Sequence, residues 1–318
     1  MSKQKKKTRR IGILRGMETS FPEALIEYIN DTYGDKKIEC SFVEIDAVSM
    51  DDDNVYDVIL DRISHEVPFY RSYLKWCSLK GTYIVNNPFW WSADDKFIDN
   101  IIAAEVDVAV PRTVILPHKQ HPPNTKDNSF RNLKYPVDWD RVFEYIGFPA
   151  FLKPFDGGGW RGVSRVTNAD EFYAAYDESG TDCMMLQEGI EFESYFRCYG
   201  VGQTKVHIMP YNPAAEPHLR YKDIPEGSSS TELLERIEKD VVSICKALGY
   251  DLNTVEFAVR DGIPYAIDFM NPAPDADYHS VGYDNFAWIV NAVAEMLVAK
   301  AEKPDSKKKF SVNNALAR

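Results

Sequence analysis

Short apolar or alternating runs at residues 11–14 (Ile-Gly-Ile-Leu), 38–45, 55–60 and 82–85 are separated by two segments of helical spacing, Pro22–Tyr33 and Tyr70–Leu79. Runs of this length suit strands, whereas the intervening segments carry apolar residues at three- and four-residue intervals. A strand that is followed by a helix and then by another strand returns in the same direction, so the alternation implies a parallel sheet with helical crossovers. The N-terminal part of the chain is therefore expected to be a parallel α/β domain.

The remainder has a different rhythm. A helix is expected from Asp94 to about Glu105 and a strand around Arg112–Leu116, after which the polar, proline-rich residues 117–136 read as a long loop between lobes or a substrate-facing flap. Asp140–Ile146 reads as a short helix, Phe148–Lys153 as a strand entering a glycine-rich turn, and Val163–Val166 as its return. Asn168 with Glu171 forms a capping box for a helix to about Tyr176, and Cys183–Gln187 is another strand. Ser229 with Glu232 opens a helix that Gly249 stops. Strands at Thr254–Val259 and Ile263–Phe269 and a helix near Phe286–Ala301 complete the series.

The length of 318 residues suggests two or three lobes. Every apolar stretch is interrupted well short of the ~18 residues of a membrane span, and only Ile11–Leu14 follows the charged N-terminus, so a cytoplasmic protein without membrane contact is expected. Six of the 37 basic residues lie at 3–10, which leaves 31 against 49 acidic residues in the body. A body so acidic repels nucleic acid, and the leader reads as solvated and disordered, with a nucleic-acid arm as the alternative. Five cysteines with no CxxC pair argue for free thiols rather than a disulfide framework, and His118 with His121 reads as loop rather than zinc ligand.

Three places carry chemistry. Lys153 ends an apolar strand, where an ammonium calls for an anion, and Gly157-Gly158-Gly159-Trp160-Arg161-Gly162-Val163 follows with enough glycine for backbone N–H groups to approach phosphate oxygens; the same run also suits a plain structural turn. Downstream, Arg260-Asp261-Gly262 reads as a three-residue hairpin connection that sets Glu256 and Asp268 on one face. Two such carboxylates are explained by a divalent cation, with Asn271 adding a carbonyl oxygen, or by a solvated acidic face. Between these lies the strand exit Gln187-Glu188-Gly189-Ile190, with Glu193 beyond it, suited to an adenine and a ribose but also to an ordinary strand end.

In this order the parts resemble the ATP-grasp superfamily from about residue 11 to residue 300, most closely the glutathione synthetase and peptide glutamate-ligase branch. The resemblance implies an N-terminal parallel α/β domain followed by a two-lobed ATP-grasp domain: leader 1–10, α/β domain 11–93, connecting segment 94–147, lobes 148–190 and 191–303, and tail 304–318. It implies that Lys96 and Lys153 contact phosphate, that residues 157–163 close over the nucleotide with Trp160 as a plug or a packing group, that Gln187, Glu188, Gly189 and Ile190 face adenine and that Glu193 binds ribose. Arg197 would contact the transferred phosphoryl group, and Glu256, Asp268 and Asn271 would bind Mg2+ or Mn2+, although Asp268 and Asn271 stand three apart where the family usually has two, and Glu193 sits slightly early.

The implied reaction uses ATP to activate a small-molecule or peptide carboxylate as an acyl phosphate and couples it to an amine. Arg197, Lys153 and Arg220 would be its catalytic groups, with Arg220, Tyr221, Lys222, Arg62 and Tyr70 as candidates for the acceptor or as solvated surface. A homodimer is the candidate assembly. A small-molecule kinase of the same superfamily and a non-catalytic ATP-binding regulator are the alternatives; the scarcity of clustered basic residues speaks against a polyphosphate acceptor, and the full set of phosphate and metal groups speaks against a regulator.

Overall fold

The computed structural model describes residues 8–89, 95–216, 219–221, 230–271 and 273–303. The elements in chain order are β1 (Arg9–Leu14), α1 (Ser20–Tyr33), β2 (Ile38–Phe42), β3 (Val58–Asp61), α2 (Pro68–Leu79), β4 (Tyr83–Val85), α3 (Lys96–Glu105), β5 (Thr113–Ile115) and α4 (Trp139–Ile146). They continue with β6 (Ala150–Pro154), β7 (Ser164–Val166), α5 (Ala169–Glu178), β8 (Met184–Glu188), β9 (Ser194–Val201), β10 (Lys205–Pro210), α6 (Thr231–Leu248), β11 (Leu252–Arg260), β12 (Ile263–Asp268), α7 (Tyr278–Val281) and α8 (Tyr283–Glu302). The chain divides into two compact units, one drawn from 1–91, 195–256 and 268–318, the other from 92–194 and 257–267.

In the first unit the expected parallel sheet is present, in the order β2–β1–β3–β4, with Ile11 beside both Cys40 and Val58. Helices cover both faces, which is why its strands read as apolar runs. One face packs Ile11 and Ile13 with Phe21, Leu25, Val293 and Leu297 from α1 and α8, and the other packs Leu14 and Ile59 with Leu74 and Cys77 from α2. The strand β1 begins two residues inside the expected leader, because Arg9 pairs through Nη1 with Asp57 Oδ1 at 2.6 Å and its amide bonds to Lys37. Residues 1–7 of the leader and the tail 304–318 lie outside the described residues. The strands β9 and β10 form an antiparallel pair in which Arg197 stands opposite Met209, and β11 lies on the other side of β9.

The second unit is built on the antiparallel sheet β5–β8–β6–β7. Its core joins Leu152, Leu186 and Val166 to Ile146, Phe172 and Tyr176 of α4 and α5. The cap of α5 is as expected on one side, Asn168 Oδ1 accepting from Glu171 N at 2.9 Å, but the Glu171 carboxylate turns to the amide of Thr167.

Two local expectations are corrected. The β11–β12 connection has two residues, not three: Asp261 (φ 54°) and Gly262 (φ 72°) both adopt the left-handed conformation that a tight hairpin requires. In a regular two-residue hairpin Glu256 and Asp268 face opposite sides, so turn length does not bring them together. The helix α6 is capped by Ser230, whose hydroxyl accepts from Leu233 N at 3.2 Å; Ser229, the expected cap, lies outside the described residues.

Candidate active site

The second unit carries the groups assigned to the nucleotide. Lys153 emerges from β6, and its ammonium donates to Gln187 Oε1 at 2.8 Å on the neighbouring strand. Gln187 is almost fully buried and donates in turn to Thr113 Oγ1 at 3.1 Å, whose hydroxyl donates to Pro111 O at 3.0 Å. This chain of hydrogen bonds crosses three strands and fixes the lysine. The first residue of α3, Lys96, is joined to the same strand end, since its amide donates to Phe155 O at 2.8 Å, one residue before the loop. Asp95 caps that helix through Ile98 N.

The loop itself is exposed from Asp156 to Gly162. Gly157, Gly159 and Gly162 all have positive φ, and so does Trp160, which is 63% exposed. Glycine tolerates this conformation without strain, and a loop so rich in it lets backbone approach a ligand closely. At the strand exit, Gly189 is required by space: a Cβ there would lie 2.7 Å from Pro149 O, and the Gly189 amide donates to that same oxygen.

The side chains of Glu188, a hinge candidate, and Glu193, the ribose candidate, both have partners. Glu188 accepts from Arg112 Nε at 3.0 Å and from Arg260 Nη1 at 2.9 Å. Burial raises its pKa, but these bonds outweigh it and hold the carboxyl below the usual range. Glu193 Oε1 accepts from Asp261 N at 3.1 Å at the hairpin tip.

The first unit carries the charged groups assigned to the reaction. Tyr195 and Arg197 are two apart on β9 and share a face, and both reach Glu256 of β11: Tyr195 donates to Oε2 at 2.6 Å, and Arg197 Nε stands 3.7 Å from Oε1. Burial, then Glu256 and then Asp268, raise the Tyr195 hydroxyl well above the usual tyrosine range, so both carboxylates act on one hydroxyl despite the shorter hairpin. Arg197 Nε is buried without a hydrogen-bond partner among the described residues, as is the hydroxyl of Tyr221. Burial works against the Arg197 charge, but Tyr221 and Glu256 outweigh it and raise its pKa. Around the Tyr211 ring stand two guanidinium groups, Arg197 at 5.6 Å and Arg220 at 6.0 Å, and Arg220 Nη1 donates to the Tyr211 hydroxyl at 3.2 Å.

Asn271 is held by a residue the sequence did not single out. Asn253, fully buried on β11, accepts from Asn271 N at 3.1 Å and donates to Phe269 O at 2.7 Å. The Asn271 Oδ1 accepts from Ala273 N at 3.2 Å and retains a lone pair. Glu256, Asp268 and Asn271 thus offer only hard oxygen donors, a set that fits Mg2+ or Mn2+. Among the described residues no group of three or more His, Cys, Asp or Glu residues could hold a metal ion, so a cation here would depend on the Asn271 carbonyl beside the two carboxylates.

Sequence reasoning missed Tyr195, Tyr211 and Asn253. A buried asparagine inside the apolar strand Leu-Asn-Thr-Val was the one available signal. Lys222 lies outside the described residues. Of the other acceptor candidates, Arg62 is buried and bonded to Glu18 and to Pro274 O. All five cysteines are free, and no described helix is long and apolar enough to cross a membrane.

No protein-family model matches the chain. The D-alanine–D-alanine ligase of Coprothermobacter proteolyticus is 25% identical over 195 residues, which cover 55% of this chain and 57% of that ligase, so the chain spans little more than half the length of this curated relative. Among solved structures, the D-alanine–D-alanine ligase of Bacillus anthracis complexed with ATP superposes with a TM-score of 0.61 at 20% identity, over 92% of this chain and 97% of that one. A RimK domain ATP-grasp protein of Sphaerobacter thermophilus superposes with a TM-score of 0.60 at 16% identity, over 92% and 99% of the two chains. Taken with the sheets and helices described above, these superpositions show that the chain shares the fold of that D-alanine–D-alanine ligase and that ATP-grasp protein.

Proposed function

We propose that the chain is an ATP-dependent ligase that activates a carboxylate as an acyl phosphate and couples it to an amine, releasing ADP and phosphate. The observation that carries this reading is Arg197: a guanidinium kept charged in a buried setting, beside Glu256 and with its Nε unpaired among the described residues, suits an anion that forms during reaction. Transfer of a phosphoryl group asks a protein mainly for alignment and charge neutralisation, and these residues supply both.

In this reading the ammonium groups of Lys96 and Lys153 bind the phosphates, and the Gln187–Thr113 chain holds Lys153 in place. Residues 157–163 cover the phosphates and exclude water, which would otherwise hydrolyse the acyl phosphate. The backbone of Gln187–Ile190 binds adenine, and the free oxygen of Glu193 binds a ribose hydroxyl. Arg197 stabilises the transferred group and then the tetrahedral oxyanion, and Arg220, fixed by Tyr211, orients a substrate carboxylate. Glu256, Asp268 and Asn271 would hold Mg2+ or Mn2+, which neutralises phosphate charge when bound.

The test is phosphate release from ATP across a panel of carboxylate and amine pairs, with D-alanine pairs first because the named relatives are D-alanine ligases. A ligase releases phosphate only when both components are present. Transfer of phosphate to a stable hydroxyl ester would instead establish a kinase.

A further inference from the structure

In the proposed cation site, the two oxygens of Glu256 face different partners. Oε1 faces Arg197 Nε at 3.7 Å, and Oε2 accepts the 2.6 Å hydrogen bond from Tyr195. The long arginine distance is an electrostatic contact. The tyrosine bond is short and directional, and it comes from the strand next to Glu256. A glutamate has three rotatable side-chain bonds, so the bond from Tyr195 helps to set how its carboxylate faces Arg197.

From this geometry we propose that Tyr195 is a positioning residue: its hydroxyl fixes the Glu256 carboxylate as a ligand for the divalent cation and keeps it from collapsing onto Arg197. The inference rests on the ligase reading given above. Two features of the surroundings favour it. The Tyr195 ring lies 5.9 Å from Tyr211, which itself lies against Arg197, so the phenol is packed as well as bonded. A carboxylate has about four lone-pair sites, so it can accept from Tyr195 and still ligate a metal. Partners that orient a ligand from behind contribute about 10–100-fold to metal affinity.

The predicted consequence is selective. Mg2+ demands near-ideal octahedral geometry, whereas larger cations tolerate a displaced ligand. Tyr195→Phe, with the ring kept and the hydroxyl removed, should raise the Mg2+ concentration needed for half-maximal ATP binding by about tenfold or more, and the Mn2+ concentration by clearly less. Calorimetric ATP titrations at fixed Mg2+ or Mn2+, on the full chain, read this directly. Equal Mg2+ and Mn2+ requirements in Tyr195→Phe and wild type would overturn the positioning role and leave the ligase reading intact. ATP binding by wild type that ignores both cations would instead overturn the site itself. If Tyr195→Phe does not fold, 3-fluorotyrosine placed at 195 reports on the same bond. Its fluorine resonance should shift when Mg2+ is added with ATP and should not shift in Glu256→Gln; an identical shift in the two proteins would refute the coupling.

Discussion

Asn253 offers the most quantitative perturbation. Its amide is fully buried, and it bonds two backbone groups of the segment that leads into the proposed cation site, Phe269 O at 2.7 Å and Asn271 N at 3.1 Å. Asn253→Ala strands both groups. An unsatisfied buried polar group costs about 1–3 kcal/mol; Phe269 is buried and bears the full cost, whereas Asn271 is partly exposed and water recovers some of it. The expected loss is about 2–4 kcal/mol, measured by urea unfolding followed by tryptophan fluorescence. Asn253→Asp sharpens the test, because it still accepts from Asn271 N but, when ionised, turns a carboxylate toward the Phe269 carbonyl. Burial and that carbonyl raise the folded pKa of the new carboxyl above its unfolded value of about 3.9. A raised acid contributes most below the unfolded value and loses its contribution as pH rises through the folded one, so the deficit of Asn253→Asp against wild type should grow from pH 4 to pH 8. A loss under about 1 kcal/mol in Asn253→Ala, or a pH-independent deficit in Asn253→Asp, would refute the reasoning.

Three further outcomes are expected. Arg197→Ala should lower kcat about a hundredfold, roughly 2.7 kcal/mol, with little change in ATP affinity, and Arg197→Lys should recover only part because a point charge lacks the guanidinium fork; steady-state kinetics with direct binding measurements check both. Lys153→Ala should lower turnover and ATP affinity together. The depressed Glu188 carboxyl contributes stability above its unfolded pKa of about 4.3 that is lost as pH falls through the folded value, so thermal melts of wild type and Glu188→Gln should differ at pH 7 and converge only as pH falls below that lowered folded value.

Much of the architecture was legible because it depends on local pattern. The parallel sheet follows from apolar runs separated by helical spacing, and the Lys153 strand, its glycine loop and the strand at Met184–Glu188 follow from turn chemistry. The strand pair Ser194–Val201 and Lys205–Pro210 was harder to delimit. Arg197 interrupts its apolar pattern, and Gly200 reads as a breaker, although a Cβ there would meet Cys245 of α6 at 2.7 Å. That glycine is explained by tertiary packing, which a single sequence does not display. The same holds for Asn253 and Tyr195, whose meaning lies in partners 18 and 61 residues away. The shared face expected for Glu256 and Asp268 came from a three-residue hairpin connection, which the structure corrects to two residues.

The central claim is that a substrate carboxylate oxygen becomes bonded to the γ-phosphorus of ATP before the amine attacks. The most direct measurement supplies the carboxylate labelled with oxygen-18, together with ATP and the amine, and analyses the released phosphate by mass spectrometry. The account predicts one labelled oxygen in each phosphate, since the amine displaces phosphate together with the oxygen that attacked. Phosphate released without label, while the amide product forms, would contradict it.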